Sequence, residues 1–521
     1  MKKVVKNIVY AALLIAIAAC TDLKEIVYDK LPVDKFGSTQ EEMDAIIGPA
    51  YTSLKTLLSY DTSWGWADMA GDIMICPTRV GGDWWDGGEY MEQCMHTWTA
   101  RSLAIDPLWD NCMESITTIN SIYSIVEPNT LMTPELKAQI LGELRGLRAF
   151  WYYQLIDYFG NVPIVTDYKS TDLPVNKSRT EVYNFIVSEL KEVIPSLRSD
   201  VSDASYGKFT KGAAFTVLAK MYLNAQEWTG TANWQGVVDA CDSVMALDYI
   251  IEPEWKTNFD VHNEVSREII LPICFSRNDS WDNGWLSVNM IHLFTLHYLD
   301  PIALGFKADT WNGISVMPDF VKNFDDADKR KEGSFLIGPM IDPSTGQVLI
   351  TSAGRPLIHT VDLNVIPSSS YPAPWGEVNQ EDGARINKWV YEKGMMNTFM
   401  ENDVAIFRLA DVYLMKAEAL VRLGKDNAEA TRLVNVIRER GFGNSDHNYA
   451  SVTLENIYNE RGFELAFEFC RRQDMIRFGT FLLPRFMKPE VTPAYRKLLP
   501  IPFTAWQKNN TLVQNPGYPA F

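Results

Sequence analysis

Apolar residues recur at three- and four-residue spacings along most of the chain, which predicts helices. The clearest case lies within 208–226, where Phe209, Ala213, Val217, Met221 and Tyr222 share one helical face. The same periodicity predicts helices over the following segments: 41–58, 107–126, 134–158, 179–197, 208–226, 232–247, 403–423, 427–440 and 453–478.

Two pairs of these helices are separated by short loops, 208–226 from 232–247 and 403–423 from 427–440. Small residues on both pairs would let the helices approach closely. This layout is similar to tetratricopeptide repeats, which run about 34 residues, although their sequence signature is absent. Unrelated helical hairpins are the alternative. In either case we expect a fold dominated by α-helices.

The pattern changes in two stretches, 60–106 and 250–402, where helical periodicity is lost and Pro, Gly, Asn, Asp and aromatic residues become frequent. Segments 268–272 and 348–351 are typical of short strands within long loops. Loops held on a rigid scaffold are the usual place for binding groups. We therefore expect a loop-rich insert with short strands on the ligand side.

The amino terminus has the composition of a targeting segment. Lys2, Lys3 and Lys6 precede an apolar run over 8–19, which is too short to span a bilayer. Small residues before Cys20 resemble the processing site of bacterial lipoproteins. We therefore expect a signal peptide over 1–19, a lipidated tether over 20–33 that begins at Cys20, and one body over 34–521. An ordinary secretory signal is the alternative.

Composition narrows the possible functions. Hydrophobic residues make up 46% and charged residues 22%, which favours a globular protein. The formal charge of −18 disfavours nucleic-acid binding. The six remaining cysteines show no CxxC spacing, so we expect mostly buried free thiols, with one bridge possible among Cys76, Cys94 and Cys112. No HExxH motif is present, and we expect no metal and no cofactor.

Several ordered motifs resemble those of SusD/RagB-family lipoproteins of Bacteroidetes. The strongest is Leu144-Arg145-Gly146-Leu147-Arg148-Ala149-Phe150-Trp151-Tyr152-Tyr153, followed by Asp157-Tyr158-Phe159-Gly160-Asn161-Val162-Pro163. Further segments fit the same order: 179–190, 211–223, 268–272, 407–414, 435–440, 464–468, 471–479, 499–502 and 514–518. One departure is Cys470, where Gly often stands before the arginines.

The resemblance implies a surface-exposed, lipid-anchored protein of the outer membrane. Such proteins cover a SusC-like TonB-dependent transporter, bind oligosaccharides or in some members peptides, and deliver them without covalent chemistry. It also implies a scaffold of about four tetratricopeptide-like helix pairs. Within the motifs, we expect Arg148, Asp411 and Arg477 to form ion pairs between helices and not to contact ligand.

One loop, 76–88, concentrates the chemistry of a sugar platform. A flat indole offers apolar area to the C–H face of a hexose ring, and carboxylates accept from its hydroxyls. Asp83, Trp84, Trp85 and Asp86 provide both, and the loop resembles one that stacks on sugar in glycan-binding members of the family. Alternatively, one tryptophan is core and the other packs beneath the loop. Asp72 and Arg79 are further candidates for ligand contact, and Asp72 is the weaker.

Two more candidate sites lie in the second irregular stretch. Trp311 and Ser315 belong to a segment that resembles a family loop close to the ligand. Arg385 could offer a two-pronged contact to neighbouring hydroxyls, although a salt bridge in a strand is the alternative. Other aromatic residues nearby are not distinguished from core packing by the sequence: Trp281, Trp285 and Tyr298.

Three other functions compete with glycan capture. A glycosidase needs two carboxylates about 5–10 Å apart, but among 66 acidic residues some pair will always satisfy this distance, so the criterion is uninformative. Because no nucleophile elbow, phosphate loop or metal motif is present, we expect a protein that is not an enzyme. Peptide binding by a tryptophan-rich pocket, and a purely adhesive role, remain open.

Overall fold

The computed structural model describes residues 39–278, 288–395 and 399–521. Cys20, the expected signal peptide and tether, and Trp281 and Trp285 lie outside these residues. The helices are α1 Gln40–Thr52, α2 Ser63–Asp68, α3 Glu89–Met95, α4 Asp106–Val126, α5 Pro134–Tyr158, α6 Arg179–Val193, α7 Lys211–Leu223, α8 Ala225–Thr229, α9 Trp234–Met245, α10 Ile291–Thr295, α11 Asp300–Leu304, α12 Pro318–Lys322, α13 Lys329–Ser334, α14 Leu409–Leu423, α15 Asn427–Phe442, α16 Leu454–Leu465, α17 Arg471–Phe478 and α18 Phe503–Lys508.

Local capping fixes where several helices begin. The side chain of Ser178 accepts from the backbone N–H of Glu181 at the start of α6, and the Glu181 side chain accepts from the backbone N–H of Ser178. The same reciprocal box joins Thr39 to Glu42 before α1. Each box satisfies two backbone donors that a helix start leaves unpaired.

The long helices pack in series, and this order makes the scaffold. Helix α4 packs on α5 and α5 on α6, while α7 packs on α9, α9 on α14, and α14 on both α15 and α16. Their facing sides carry the apolar residues that the periodicity predicted. The expected tetratricopeptide-like helical fold with small sheets is therefore confirmed.

The strands are short and form small sheets between loops. They are β1 Met74–Ile75, β2 Thr78–Arg79, β3 Ile269–Ile273, β4 Ser315–Val316, β5 Phe335–Leu336, β6 Gly338–Pro339, β7 Ile358–His359, β8 Ile366–Pro367, β9 Gly376–Val378, β10 Arg385–Ile386 and β11 Val404–Arg408. The pairs are β1–β4, β3–β11, β5–β10 and β6–β7, and β2, β9 and β8 form one three-stranded sheet.

Two predicted helices differ from the structure. The segment 403–423 starts as strand β11, which pairs antiparallel with β3, and becomes helical only at Leu409. Because β11 is buried throughout, its apolar residues show no alternation, and a short buried strand of this kind resembles a helix in sequence. The segment 453–478 is interrupted between α16 and α17, where Phe467 and Phe469 adopt left-handed φ values of 67° and 63°.

The two predicted strands also differ in outcome. The segment 268–272 corresponds closely to β3. Within 348–351 the structure has only isolated bridges, from Val348 to Ile341 and from Ile350 to Pro356.

A buried ionic network joins the loop-rich half to the helical half. The Arg408 guanidinium, at the end of β11, contacts the carboxylates of Glu268, Glu464 and Glu468. The Nζ of Lys388, which lies in the loop-rich half, is also within ion-pair distance of Glu468 at 2.5 Å. Removing one member of such a buried set leaves an uncompensated buried charge, which is strongly destabilising. The network therefore holds the two halves in one relative position.

The three motif residues expected to form ion pairs do so. Arg148 bonds Glu189 at 2.5 Å, Asp411 lies 2.6 Å from the Nζ of Lys220, and Arg477 contacts Glu418. This interpretation of the motifs as scaffold residues is confirmed.

The described residues show neither a disulfide nor a helix that could cross a membrane. The cysteines there, Cys76, Cys94, Cys112, Cys241, Cys274 and Cys470, are all free thiols, so the bridge considered among the first three is not present. Over the same ranges, none of the helices combines the length and hydropathy that a bilayer crossing requires.

Candidate functional site

The pairing of β1 with β4 brings the two predicted tryptophan loops together. Met74 lies opposite Val316, and Ile75 lies opposite Ser315. The loop 76–88 follows β1, and the segment that carries Trp311 precedes β4. Because the two strands are antiparallel, both segments lie at the same end of this small sheet. A pairing across more than 200 residues of chain therefore creates the site.

Between these loops lies an open groove of about 410 Å³, which we call the tryptophan groove. Four of the sequence candidates line it: Asp83, Trp84, Asp86 and Trp311. Four further residues complete the lining: Tyr60, Tyr90, Phe294 and Tyr298.

The aromatic rings of the groove form a continuous arc. Ring centroids are 5.6 Å apart between Trp84 and Tyr90, 5.1 Å between Tyr90 and Tyr60, 5.7 Å between Tyr60 and Phe294, and 5.2 Å between Phe294 and Trp311. Three of these pairs are edge-to-face and one, Trp84 with Tyr90, is tilted. Edge-to-face contact is an arrangement that aromatic quadrupoles prefer. Tyr90 and Phe294 are buried, whereas Tyr60, Trp84 and Trp311 are half-buried and offer surface to the groove.

Trp84 is held in an unusual backbone conformation. Its φ is 61°, in the left-handed region that few non-glycine residues occupy. Its indole Nε1 donates to the carbonyl of Trp311 over 2.7 Å. The ring lies against Gly313, where a Cβ would sit only 2.6 Å from ring atoms. The glycine and the hydrogen bond together keep the indole in place.

The polar groups of the groove lie at its rim, where Asp83 and Asp86 are exposed. The Tyr298 hydroxyl donates to Asp83 Oδ2 over 2.7 Å, and the Tyr90 hydroxyl donates to Asp86 Oδ2 over 3.1 Å. Burial and the neighbouring Asp83 carboxylate raise the pKa of Tyr298, so its hydroxyl remains a donor at neutral pH. Burial and the nearby Asp61 and Asp86 raise the pKa of Glu89 to about 7.

Arg79 lies beneath the groove and is fully buried. Its five N–H groups donate to five acceptors: the carbonyls of Asn312, Gly313, Asn379 and Asp382, and Ser315 Oγ. Burial lowers the pKa of Arg79 to about 10. Arg79 therefore holds the loops that carry the groove and has no N–H left for a ligand.

Arg385 and Ser315 belong to the same buried support. Both side chains have no exposed surface. Arg385 donates to Ser315 Oγ and to Asn312 Oδ1, each over 2.8 Å, from strand β10. The structure places both residues below the groove and not on its surface.

Trp85 and Asp72 lie away from the groove. The Trp85 ring packs against Tyr371, with centroids 4.7 Å apart. Asp72 accepts two hydrogen bonds from the Arg471 guanidinium at the start of α17. Adjacent tryptophans in one loop thus face different neighbours.

Four of the lining residues are not indicated by the sequence. It does not distinguish Tyr298 from core packing, and it singles out none of Tyr60, Tyr90 and Phe294. Tyr60 lies three residues before α2, and the other two lie within short helices. All three belong to stretches without helical periodicity, so the sequence pattern does not separate a groove position from a core position. The proximity of Tyr90 to the loop 76–88 in sequence is the one signal that could have indicated it.

Comparison with known proteins identifies the family. Residues 252–518, more than half of the chain, match the family model described as "SusD family". The chain belongs to the SusD family. Residues 78–223 match a second model, described as "Starch-binding associating with outer membrane". Together these ranges contain α3 to α7, α10 to α18 and the loop 78–88 of the groove, whereas α8 and α9 lie between them.

Curated SusD-family relatives match over much of their length. The starch-binding protein SusD of Bacteroides thetaiotaomicron is 26% identical over 415 residues, which is 72% of each chain. A SusD-like protein of Bacteroides ovatus is 25% identical over 503 residues, covering 92% of this chain and 83% of its own. The first of these is named for binding starch.

Solved structures of the SusD fold superpose over most of the chain. A laminarin-binding SusD-like protein has a TM-score of 0.73 at 21% identity, covering 92% of this chain and 100% of its own. Surface glycan-binding protein A from Bacteroides thetaiotaomicron, in complex with laminarihexaose, has a TM-score of 0.74 at 18% identity over 91% and 99% of the two chains. At these identities the likeness establishes the shared fold.

Proposed function

We propose that this SusD-family protein captures oligosaccharides in the tryptophan groove. The observation that carries the proposal is the meeting of Trp84 and Trp311 with exposed Asp83 and Asp86 in one open groove. Half-buried indole faces supply apolar area for sugar rings, and the rim carboxylates accept hydrogen bonds from hydroxyls. Relatives named for starch, laminarin and laminarihexaose support glycan as the ligand class.

The proposal extends to location and partner. The lipoprotein-like sequence before Cys20 supports a lipid anchor, and the description of the second family model supports association with the outer membrane. The resemblance to SusD/RagB lipoproteins supports delivery of the captured glycan to a SusC-like TonB-dependent transporter. In this role the protein needs no chemistry on the ligand, because the partner moves the intact oligosaccharide.

Peptide capture is the alternative within the family. The arc of rings would also accept aromatic side chains. The exposed hydrogen-bonding groups at the rim are two carboxylates and the Tyr298 hydroxyl, a set that suits the many hydroxyls of a sugar better than an apolar peptide side chain.

Isothermal titration of the full mature chain with a panel of neutral and charged oligosaccharides tests glycan capture. We expect saturable binding to one class, which Trp84→Ala removes because the ring supplies much of the contact area. Trp506→Ala is the matched control, since Trp506 is another half-buried tryptophan but stacks on Phe503 away from the groove. Trp85→Ala should retain binding.

Three results would contradict the proposal. Binding unaffected by Trp84→Ala would move the site elsewhere. Binding of peptides alone would favour the alternative ligand class. New reducing ends after incubation with glycan would make the protein an enzyme. Delivery is tested separately, by asking whether a TonB-dependent barrel copurifies with the lipid-anchored protein from outer membranes.

A further inference from the structure

The charged side chains that line the tryptophan groove are all acidic. Among the described residues, those that line the groove include two carboxylates, Asp83 and Asp86, and no lysine or arginine. Besides burial, Asp61 and Asp86 lie close enough to Glu89 to raise its pKa. A ligand entering the groove therefore meets negative charge and aromatic surface.

The two arginines that hold the loops of the groove have no guanidinium exposed to a ligand. All five N–H groups of Arg79 are directed at acceptors within the protein. Arg385 is fully buried and donates to Ser315, Asn312 and nearby carbonyls. Recognition of carboxylates or sulfates normally uses accessible two-pronged guanidinium groups. Here both guanidinium groups are used to hold the loops.

The two internal segments outside the described residues add no positive charge. The internal segments 279–287 and 396–398 contain no Lys, Arg or His, and 279–287 adds two aspartates. The whole chain has a formal charge of −18, so its long-range field also repels polyanions.

We propose that the tryptophan groove selects uncharged oligosaccharides and rejects glycans that carry carboxylate or sulfate groups. This inference rests on the proposed glycan capture and deepens it, since it names the ligand class for the same groove. Asp83 and Asp86 act in two ways: they accept hydrogen bonds from neutral hydroxyls and repel a negatively charged substituent at the same place.

The test is titration with matched probes. Each neutral oligosaccharide, such as a gluco- or galacto-hexaose, is paired with its uronate counterpart and with a sulfated derivative. We expect the charged member of a binding pair to bind about tenfold more weakly or worse, because like charges a few ångströms apart repel. The difference should shrink between about 50 mM and about 500 mM salt, which screens exposed charges.

The double variant Asp83→Asn with Asp86→Asn isolates the charge. Asparagine keeps the size and an acceptor oxygen, but a neutral amide accepts more weakly than a carboxylate, so neutral binding should weaken. Binding of the charged counterpart should improve by about tenfold. Glu114→Gln is the control, because Glu114 is an exposed acid on α4 outside the groove lining, and it should change neither.

The possible outcomes distinguish a failure of charge selection from a failure of the proposed glycan capture. Equal or tighter binding of the charged probes, abolished by Trp84→Ala, would overturn charge selection and leave glycan capture intact. An unchanged preference in the asparagine double variant would also overturn it, since the rim charge would then not be the cause. Binding of no probe, charged or neutral, would contradict glycan capture itself.

Discussion

The indole Nε1 of Trp84 donates to the backbone carbonyl of Trp311 over 2.7 Å, although the two residues are 227 positions apart in the chain. This bond fixes the Trp84 ring relative to the main chain of the segment that carries Trp311. Rings already held in position lose less freedom when a ligand stacks on them, so more of the contact energy appears as affinity.

Gly313→Ala should weaken ligand binding without unfolding the protein. A Cβ at this position would lie 2.6 Å from the Trp84 ring, so the indole must move away. We expect a loss of about tenfold or more in affinity, as for other displaced contacts in pre-organised sites. Titration calorimetry measures it, and circular dichroism checks the fold. Unchanged affinity would show that the position of the Trp84 ring does not matter.

Tyr298→Phe should reduce affinity by a few fold while leaving stability nearly unchanged. The variant keeps the ring and removes the hydrogen bond to Asp83, and an exposed bond of this kind contributes about 1 kcal/mol or less. Tyr298 is 47% exposed, so little packing is lost. Tyr168→Phe, at a tyrosine 51% exposed outside the groove, is the control. A large fall in melting temperature would instead assign Tyr298 to the core.

Arg79→Lys should destabilise the protein, by about 3 kcal/mol or more, because a lysine cannot replace five buried hydrogen bonds and leaves carbonyls unpaired. Affinity should fall as a consequence of the disturbed loops. Denaturant unfolding measures the loss, with the exposed Arg101→Lys as control. If stability stayed normal while binding vanished, Arg79 would be a direct ligand contact and not a positioning residue.

Asp68→Asn should raise the melting temperature at pH 7 and have less effect near pH 4. Burial raises the pKa of Asp68 well above its usual 3.8, with Lys388 and Arg471 offsetting only part of the shift. The folded protein then binds a proton that the unfolded chain releases, so stability falls as pH rises above the unfolded value. The neutral amide removes this cost.

Scanning calorimetry at both pH values checks this expectation. Asp110→Asn, at an aspartate paired with Lys508 on the surface, should give no such gain. A lower melting temperature for Asp68→Asn at pH 7 would mean that attraction to Lys388 and Arg471 outweighs burial.

The sequence predicted most of the scaffold helices, because apolar residues recur in them at helical spacing over many residues. The expected helix 134–158 is α5, and the expected ion pairs of Arg148 and Asp411 are present. The start of 403–423 could not be predicted, because the four buried apolar residues 404–407 fit a strand and a helix equally.

The sequence indicated some residues of the candidate site, because residue type shows which side chains could contact a ligand. Residue type does not show which of them are buried. Residue type indicated that Trp84 and Trp311 could stack on a ligand, and the β1–β4 pairing brings them together. Residue type could not distinguish Arg79 on the surface from Arg79 buried, since the same guanidinium serves either role. Residue type also does not indicate the left-handed backbone at Trp84, which accompanies the divergence of Trp84 and Trp85.

Four of the five acceptors of Arg79 are main-chain carbonyls. A support built on main-chain atoms does not depend on which side chains the overlying segments carry. Substitutions in the overlying loops can therefore change which ligand is bound while the Arg79 support stays the same. Resemblance over the whole chain is consequently a poor guide to which ligand a relative binds. The residues at the eight groove positions are the ones to compare between relatives.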